Sequence, residues 1–388
     1  MGTELTLKQM LLNEIDKQPR GYAEELACVA GYSSGSNFTR VLEKEKKEFD
    51  KFQGLLNVVT YIWSNEAPNK MNGYAKQIDP NKKTARNMLE YLSSNRQMDG
   101  FKYLLDSMDE CSNKESKEWS KVYRLQYEHQ VNFPNINYDE LLKRARMIRT
   151  NVIELNVFLN LFKIYCYQQK SAHNVIMMIA EEVEADLDLI ENGYIKQRYE
   201  CRFSEVMSHV SLRVYDKQET SRIHADKVLN SENTGKMFKA FAYFIKGYSY
   251  LFSSYDELLF NLNKCLSIYD EMGKSSIVED IMEKIELAAV YWEKEKNNCK
   301  YIKNYLLMNA LEGRDIDSLL EMHKNEIEKP FYYYLKGVSK KDNDFLLKSI
   351  VNYLKIGDAF LANFAKIELL KNGYDQSLLE DLMSIRAI

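Results

Sequence analysis

The sequence predicts an all-α protein in which a short helix-turn-helix head precedes a long array of stacked helical hairpins. Three observations carry this. Helix breakers are scarce: 388 residues hold only five prolines (Pro19, Pro68, Pro80, Pro134, Pro330) and 15 glycines, so long helices are permitted almost everywhere. Apolar residues recur at helical spacing in segment after segment, and no strand pattern is evident. One hairpin motif is also written twice in the second half.

The head comes first. MLLNEID (10–16) forms a helix that stops at Pro19. Tyr22 to Ala30 forms a second, with Leu26, Val29 and Ala30 on its apolar side. Gly31 stands where a helix commonly closes in a left-handed residue. YSSGS is a turn rich in capping side chains, and NFTRVLEKEKKEF is a third helix. Ser36 is its expected N-cap, and Phe38, Val41 and Leu42 recur at helical spacing.

From residue 51, helix follows helix. LLNVVTYIW (55–63) begins one, and DPNKKTARNMLEYL (79–92) another, with Asp79 as cap and Pro80 at the first helical position. SKEWSKVYRLQYEHQ, YDELLKRARMIRT and LNVFLNLFKIYCYQQ continue the series. The repeat is clearest in FAYFIKG (241–247), followed by DELLFNLNKCLSIY, and in FYYYLKG (331–337), followed by KKDND and FLLKSIVNYL. In both, a bulky residue stands four before a glycine and a second apolar helix follows. Glycine lets paired helices approach and aromatics fill the seam, as in a tetratricopeptide hairpin. The expected architecture is therefore a tetratricopeptide-like right-handed superhelix, which the 27 tyrosines suit.

Composition narrows the function. Formal net charge is −4, so no global basic field advertises nucleic acid. No apolar run approaches the ~20 residues that span a bilayer, and the amino terminus lacks the features of a signal peptide. The six cysteines, without a CxxC, read as buried thiols in a reducing cytosol. The five histidines form no HExxH, and phosphate-binding glycine motifs are absent. Acidic runs such as EEVEAD (181–186) read as solvated helix faces. Neither catalysis, a cofactor nor a metal is expected.

Three features offer binding instead. In a helix-turn-helix the second helix of the pair lies in the major groove and turns its first residues to base edges. Ser34, Ser36, Asn37, Thr39 and Arg40 hold those positions, where Asn pairs with adenine and Arg with guanine or phosphate. Yet residues 1–50 carry seven Lys and Arg against nine Asp and Glu, so the head binds weakly alone unless a dimer or the run Lys44, Lys46, Lys47 compensates. It reads equally as a capping hairpin of the array. The basic sets Lys143, Arg144, Arg146, Arg149 and Lys82, Lys83, Arg86 read either as phosphate contacts or as solvated faces. Finally, a concave wall is expected near residues 195–300, where Arg202, His209, Arg213 and Tyr248 could satisfy an extended peptide.

Several long stretches resemble one family. ELACVAGY (25–32), EFDKFQGLLNVV (48–59), IDPNKKTARNMLEY (78–91), CSNKESKEWSKVYRL (111–125), FYYYLKGVSKKDNDFLLKSI (331–350) and the closing LLEDLMSI are similar, in order, to the arbitrium receptors (AimR) of temperate phages. The resemblance implies a cytoplasmic, homodimeric transcription regulator in a bacterial host. It would bind a double-stranded DNA operator and a short secreted peptide, and act in the lysis–lysogeny decision. It implies three parts: residues 1–50 for DNA, 51–300 for the superhelix and peptide groove, and 301–388 for the closing repeats and dimerisation end. Leu378, Leu379, Leu382 and Met383 are expected to form an apolar stripe covered by a partner chain.

The implied groove departs from the family's. Two asparagines four apart become His209 and Arg213, after Met207-Ser208. A clamping arginine becomes Met237, beside Lys236 and Lys239. A third asparagine becomes Tyr248, and an acidic receiver of the peptide's arginine falls at Ile302. Asp358, in KIGDAF, is retained. The altered wall implies a peptide neutral or acidic near its carboxyl end. Two alternatives stay open: a member without peptide control, and a protein-binding regulator whose head does not touch DNA.

Overall fold

The computed structural model describes residues 5–44, 48–49, 51–170, 173–232, 234–294 and 299–384. Among them every regular element is helical. The chain divides into two compact units, one of Met1–Lys170, Met178–Arg202 and Ser231–Gly235, the other of Ser171–Met177, Phe203–Asn230 and Lys236–Ile388.

The chain opens with α1 (Leu7–Lys17), α2 (Tyr22–Ala30) and α3 (Gly35–Glu43). Then come α4 (Phe52–Trp63), α5 (Ala67–Tyr74), α6 (Lys83–Ser94), α7 (Met98–Glu110), α8 (Lys114–Asn132), α9 (Tyr138–Met147), α10 (Ile153–Gln169), α11 (His173–Leu189) and α12 (Tyr194–Arg213). The series continues with α13 (Gln218–Leu229), α14 (Lys236–Tyr248), α15 (Tyr255–Glu271), α16 (Ser275–Tyr291), α17 (Ile302–Leu311) and α18 (Asp317–Met322). It closes with α19 (Lys329–Lys340), α20 (Asn343–Lys355), α21 (Ala359–Lys371) and α22 (Gln376–Ser384).

The head forms for local reasons. Thr6 and Gln9 make a reciprocal capping box at the start of α1, which satisfies two of its orphan backbone donors. Leu7, Leu11, Leu26, Phe38 and Val41 are buried between the three helices, at about 1.5–3 kcal/mol for each large side chain. Gly31 closes α2 with φ +70°, a conformation a Cβ would strain. The N-cap of α3 is Ser34 and not Ser36: Ser34 is extended and its hydroxyl accepts from the Asn37 amide at 3.3 Å, whereas Ser36 already lies within the exposed first turn. The head is part of the first unit, and α4 meets α2 backbone to backbone: a Cβ on Gly54 would lie 2.2 Å from the Ala30 carbonyl oxygen.

Helix α6 starts at Lys83, later than the Asp79-Pro80 signal suggests. The Asp79 carboxylate accepts from the Asn81 backbone amide at 3.0 Å and from its side chain at 2.9 Å. Asp79 therefore shapes a turn rather than capping a helix.

Both expected hairpins are present in the second unit. In α14–α15, Gly247 lets α15 approach so closely that a Cβ would sit 3.0 Å from Asn261 Cβ. In α19–α20, a Cβ on Gly337 would meet Leu346 Cδ2 at 2.7 Å. Tyr243 and Tyr333, four residues earlier, are half-buried, while Tyr248 and Tyr334 are buried. The cysteines do not all read as expected: Cys111, Cys166, Cys201 and Cys265 are buried, Cys28 is exposed and Cys299 intermediate. Cys28 lies one position beyond the Leu26–Ala27 pair, on the outer side of a short amphipathic helix.

Candidate functional site

A cavity of about 260 Å3 lies within the second unit, where the ends of several helices converge. Arg213 ends α12 and Tyr248 ends α14, so both side chains sit at helix termini rather than along a seam. Glu283, Lys284 and Leu287 come from α16, Lys303 and Asn304 from α17, and Phe331 from α19. Glu328 and Asp358 line the same space from the N-cap positions of α19 and α21. Tyr353, Ile356, Leu361 and Phe364 complete the wall.

Its charges are arranged in pairs. Arg213 donates to Asp358, which is buried and also accepts from the Leu361 amide at 3.1 Å. Burial works to lower the pKa of Arg213, but the Asp358 charge, with Tyr248, outweighs it and holds the guanidinium above its usual value. Lys303 reaches Glu283 at 3.2 Å and Glu328 at 3.1 Å. Burial opposes its charge, and the two carboxylates again prevail, raising its pKa. Lys284 differs. Its Nζ donates to the Asp280 backbone carbonyl at 3.2 Å, and burial pulls its pKa below the ordinary lysine value. Tyr248 stacks on Phe244 with ring centroids 5.6 Å apart, and burial pushes its hydroxyl upward, so it stays a neutral phenol.

Of the expected groove residues, the structure therefore brings together Arg213, Tyr248 and Asp358. His209 does not line the cavity; its ring lies against Phe241 with centroids 6.1 Å apart. Met237 packs on the core of the second unit. Arg202 belongs elsewhere altogether. It is buried in the first unit, with Nε 2.8 Å from Glu90 and one terminal nitrogen, Nη2, donating to Ser93 and Ser94 at 2.9 and 3.2 Å. Tyr123 donates to the same carboxylate at 2.9 Å and meets the Tyr199 hydroxyl at 3.0 Å. This is a closed polar network, and Arg202 has no face to offer a ligand.

At the head, the turn and first two turns of α3 gather the five expected residues. Ser36 and Arg40 are exposed, and Ser34, Asn37 and Thr39 half-buried. The Asn37 amide donates to Ser33 Oγ at 2.9 Å and its Oδ1 accepts from Arg40 at 3.1 Å. Lys46 and Lys47 lie outside the described residues. The set Lys82, Lys83, Arg86 is engaged by Glu48 and Asp79, by Glu191 at 3.6 Å and by Glu115 respectively. Arg144 is held by Glu128 at 2.8 Å and Arg146 donates to Tyr167, while Lys143 and Arg149 are exposed.

Comparison with known proteins gives the family. The AimR transcriptional regulator-like family model matches residues 67–371. The chain belongs to that family. The AimR transcriptional regulator of Bacillus phage SPbeta is 27% identical over 370 residues, 92% of this chain and 94% of the relative. Two solved structures share the fold. SeMet-phAimR is 24% identical with TM-score 0.78, over 97% of this chain and all of that one. The phAimR-Ligand structure is 23% identical with TM-score 0.65, over 85% of this chain and 99% of that one. The chain is thus a transcription regulator of the AimR-like family with its helical-repeat fold.

Against this family frame, two expectations change. The acidic group expected to be lost at Ile302 has counterparts: Glu283 and Glu328 line the cavity on either side of Lys303. With Asp358 they balance Arg213, Lys284 and Lys303, so the wall is not uniformly cationic and does not by itself repel an arginine-bearing ligand. The sequence signal missed was the EK pair Glu283-Lys284 with Lys303 beside Ile302. The closing stripe also differs. On α22, Leu379 is buried and Leu382 and Met383 pack against the unit's own core; only Leu378 of the four is exposed, at 56%. Helix α22 folds onto α21 and covers its own apolar face.

Among the described residues no group of three or more His, Cys, Asp or Glu is placed to hold a metal. No helix there is long and apolar enough to cross a membrane.

Proposed function

We propose that this chain is a cytoplasmic, non-enzymatic, homodimeric regulator that reads a double-stranded DNA operator through α3. On this reading, a short peptide in the cavity of the second unit controls it in the phage lysis–lysogeny decision. The three functional parts, residues 1–50, 51–300 and 301–388, follow from the same reading. The observation that carries it is the cavity: a compact space walled by three acidic and three basic side chains over aromatic and aliphatic residues, the mix of orienting charges and apolar surface that a peptide site needs. The relative solved as phAimR-Ligand supports a ligand-bound state for this fold. The head supports the DNA role through Ser36 and Arg40, exposed at the start of α3, with Asn37 between them. A mobility shift on the DNA upstream of the coding region tests it. The wild type should shift that DNA, and Asn37→Ala with Arg40→Ala should lose at least 1–3 kcal/mol, about 5- to 160-fold, of specific binding. Normal binding by the double variant would exclude the head as reader.

A second reading is favoured by the Arg213–Asp358 pair, in which two charges of the cavity wall satisfy each other within the chain. A member without peptide control would keep its promoter response unchanged by any peptide. Asp358→Asn, which preserves the N-cap while removing the charge, would leave that response unchanged too.

A further inference from the structure

One cation of the cavity makes no ion pair with a described residue. Arg213 is neutralised by Asp358, and Lys303 is clamped between Glu283 and Glu328. Lys284, on the same wall, has only a backbone carbonyl, that of Asp280 at 3.2 Å. Among the described residues no carboxylate lies within ion-pair distance of its Nζ. It is half-buried beside the apolar side chains of Leu287 and Phe331. An ammonium partly withdrawn from water is costly unless an anion compensates it; burial lowers its proton affinity, and the nearby Glu283 and Asp280 charges offset this only in part. The space is also short. At about 260 Å3 it falls just below the roughly 300–1,000 Å3 typical of ligand pockets, so it admits an end of an extended peptide rather than its whole length. The acids that an N-terminal ammonium would seek, Glu283 and Glu328, are already held by Lys303.

On the reading of this cavity as a peptide site, we propose that Lys284 receives the C-terminal carboxylate of the ligand, the last residue lying on Leu287 and Phe331. The ion pair is completed by the ligand, so Lys284 discriminates a free acid from an amide and contributes specificity for a chain end. An internal Asp or Glu is a poorer match, because the residues following it would need room in the same cavity of about 260 Å3.

The test uses the full-length protein and a library of hexapeptides with free carboxylates. Selected binders are resynthesised as free acid, as C-terminal carboxamide, and as the amide carrying an internal aspartate. Calorimetry is run against wild type, Lys284→Gln and Lys284→Arg, each shown by thermal melting to be folded. The wild type should bind the acid at least tenfold more tightly than either amide. Lys284→Gln should bind all three alike, and Lys284→Arg should keep the preference. Equal binding of acid and carboxamide by the wild type overturns the assignment, as does discrimination that persists in Lys284→Gln. Tight binding of the aspartate-bearing amide would replace chain-end recognition by recognition of any carboxylate. In each of those cases peptide binding itself stands. Absence of any library binder to the wild type would overturn the peptide reading, and this inference with it.

Discussion

Replacing Arg202 by methionine keeps an apolar stem of similar length and removes the guanidinium. In the structure that guanidinium meets Glu90 at 2.8 Å, Ser93 at 2.9 Å and Ser94 at 3.2 Å. Arg202 is 3% exposed and Glu90 not at all. The variant leaves Glu90 with only two neutral donors, Tyr123 at 2.9 Å and Ser94 at 2.6 Å. Removing one partner of a buried pair costs about 3–5 kcal/mol, because the remaining charge is uncompensated. For a unit of about 150–250 residues each kcal/mol moves the melting temperature by about 2–4 °C, so the transition of the first unit should fall by about 6–20 °C. Adding Glu90→Gln removes the stranded charge, so the double variant should melt above Arg202→Met alone, and the cycle should show favourable coupling of about 2 kcal/mol or more. Differential scanning calorimetry, with the two units' transitions resolved, reads both quantities. An Arg202→Met protein that melts within about 2 °C of wild type, yet no longer binds peptide, would refute the structural role and return Arg202 to the ligand site.

Three further outcomes are expected. Gly54→Ala should be strongly destabilising, and should loosen the head in hydrogen exchange, because its Cβ would meet the Ala30 carbonyl at 2.2 Å. Gly73→Ala, in a helix with nothing within 4 Å, should stabilise by about 0.5–1 kcal/mol; equal effects in urea melts would contradict the packing described. Burial holds the His129 pKa down at about 4, against 6.5. The unfolded chain therefore binds the proton first, and His129 should cost stability progressively as pH falls from 6.5 towards 4, up to about 1.4 kcal/mol per unit. Between pH 7 and 5, His129→Gln should lose about 2 kcal/mol less than wild type, and identical losses would exclude this linkage. Leu378→Glu should leave the melting temperature unchanged and weaken any dimer in light scattering, whereas Leu379→Glu, being buried, should lower the melting temperature first.

The local devices of this protein were written in its sequence. Scarce proline and glycine, together with helical periodicity, determined an all-α chain, because helix formation depends on neighbours three and four residues apart. Gly31, and the glycines closing FAYFIKG and FYYYLKG, were legible because only glycine permits a left-handed cap or so close an approach of helices. Their partners, Ala27, Asn261 and Leu346, lie within one motif. Where two local devices competed, the helix start lies two or three residues from the expected one, at Ser34 rather than Ser36 and at Lys82 rather than Asp79, since several side chains nearby have capping chemistry.

What the sequence left undecided was which face of a helix meets which partner far along the chain. Arg202 and Arg213 lie eleven residues apart on the same helix, and both read as groove residues. One is buried against Glu90, 112 positions away, and the other lines the cavity against Asp358, 145 positions away. No periodicity encodes those meetings. The same holds for Lys284, which is left without an ion pair while the acids from α16 and the start of α19 converge on Lys303. It holds also for Leu379, whose burial depends on α22 turning back onto its own unit. Charges and apolar stripes were visible one residue at a time, but whether each is satisfied within the chain or left for a partner is a property of long-range packing, and only the tertiary structure decided it.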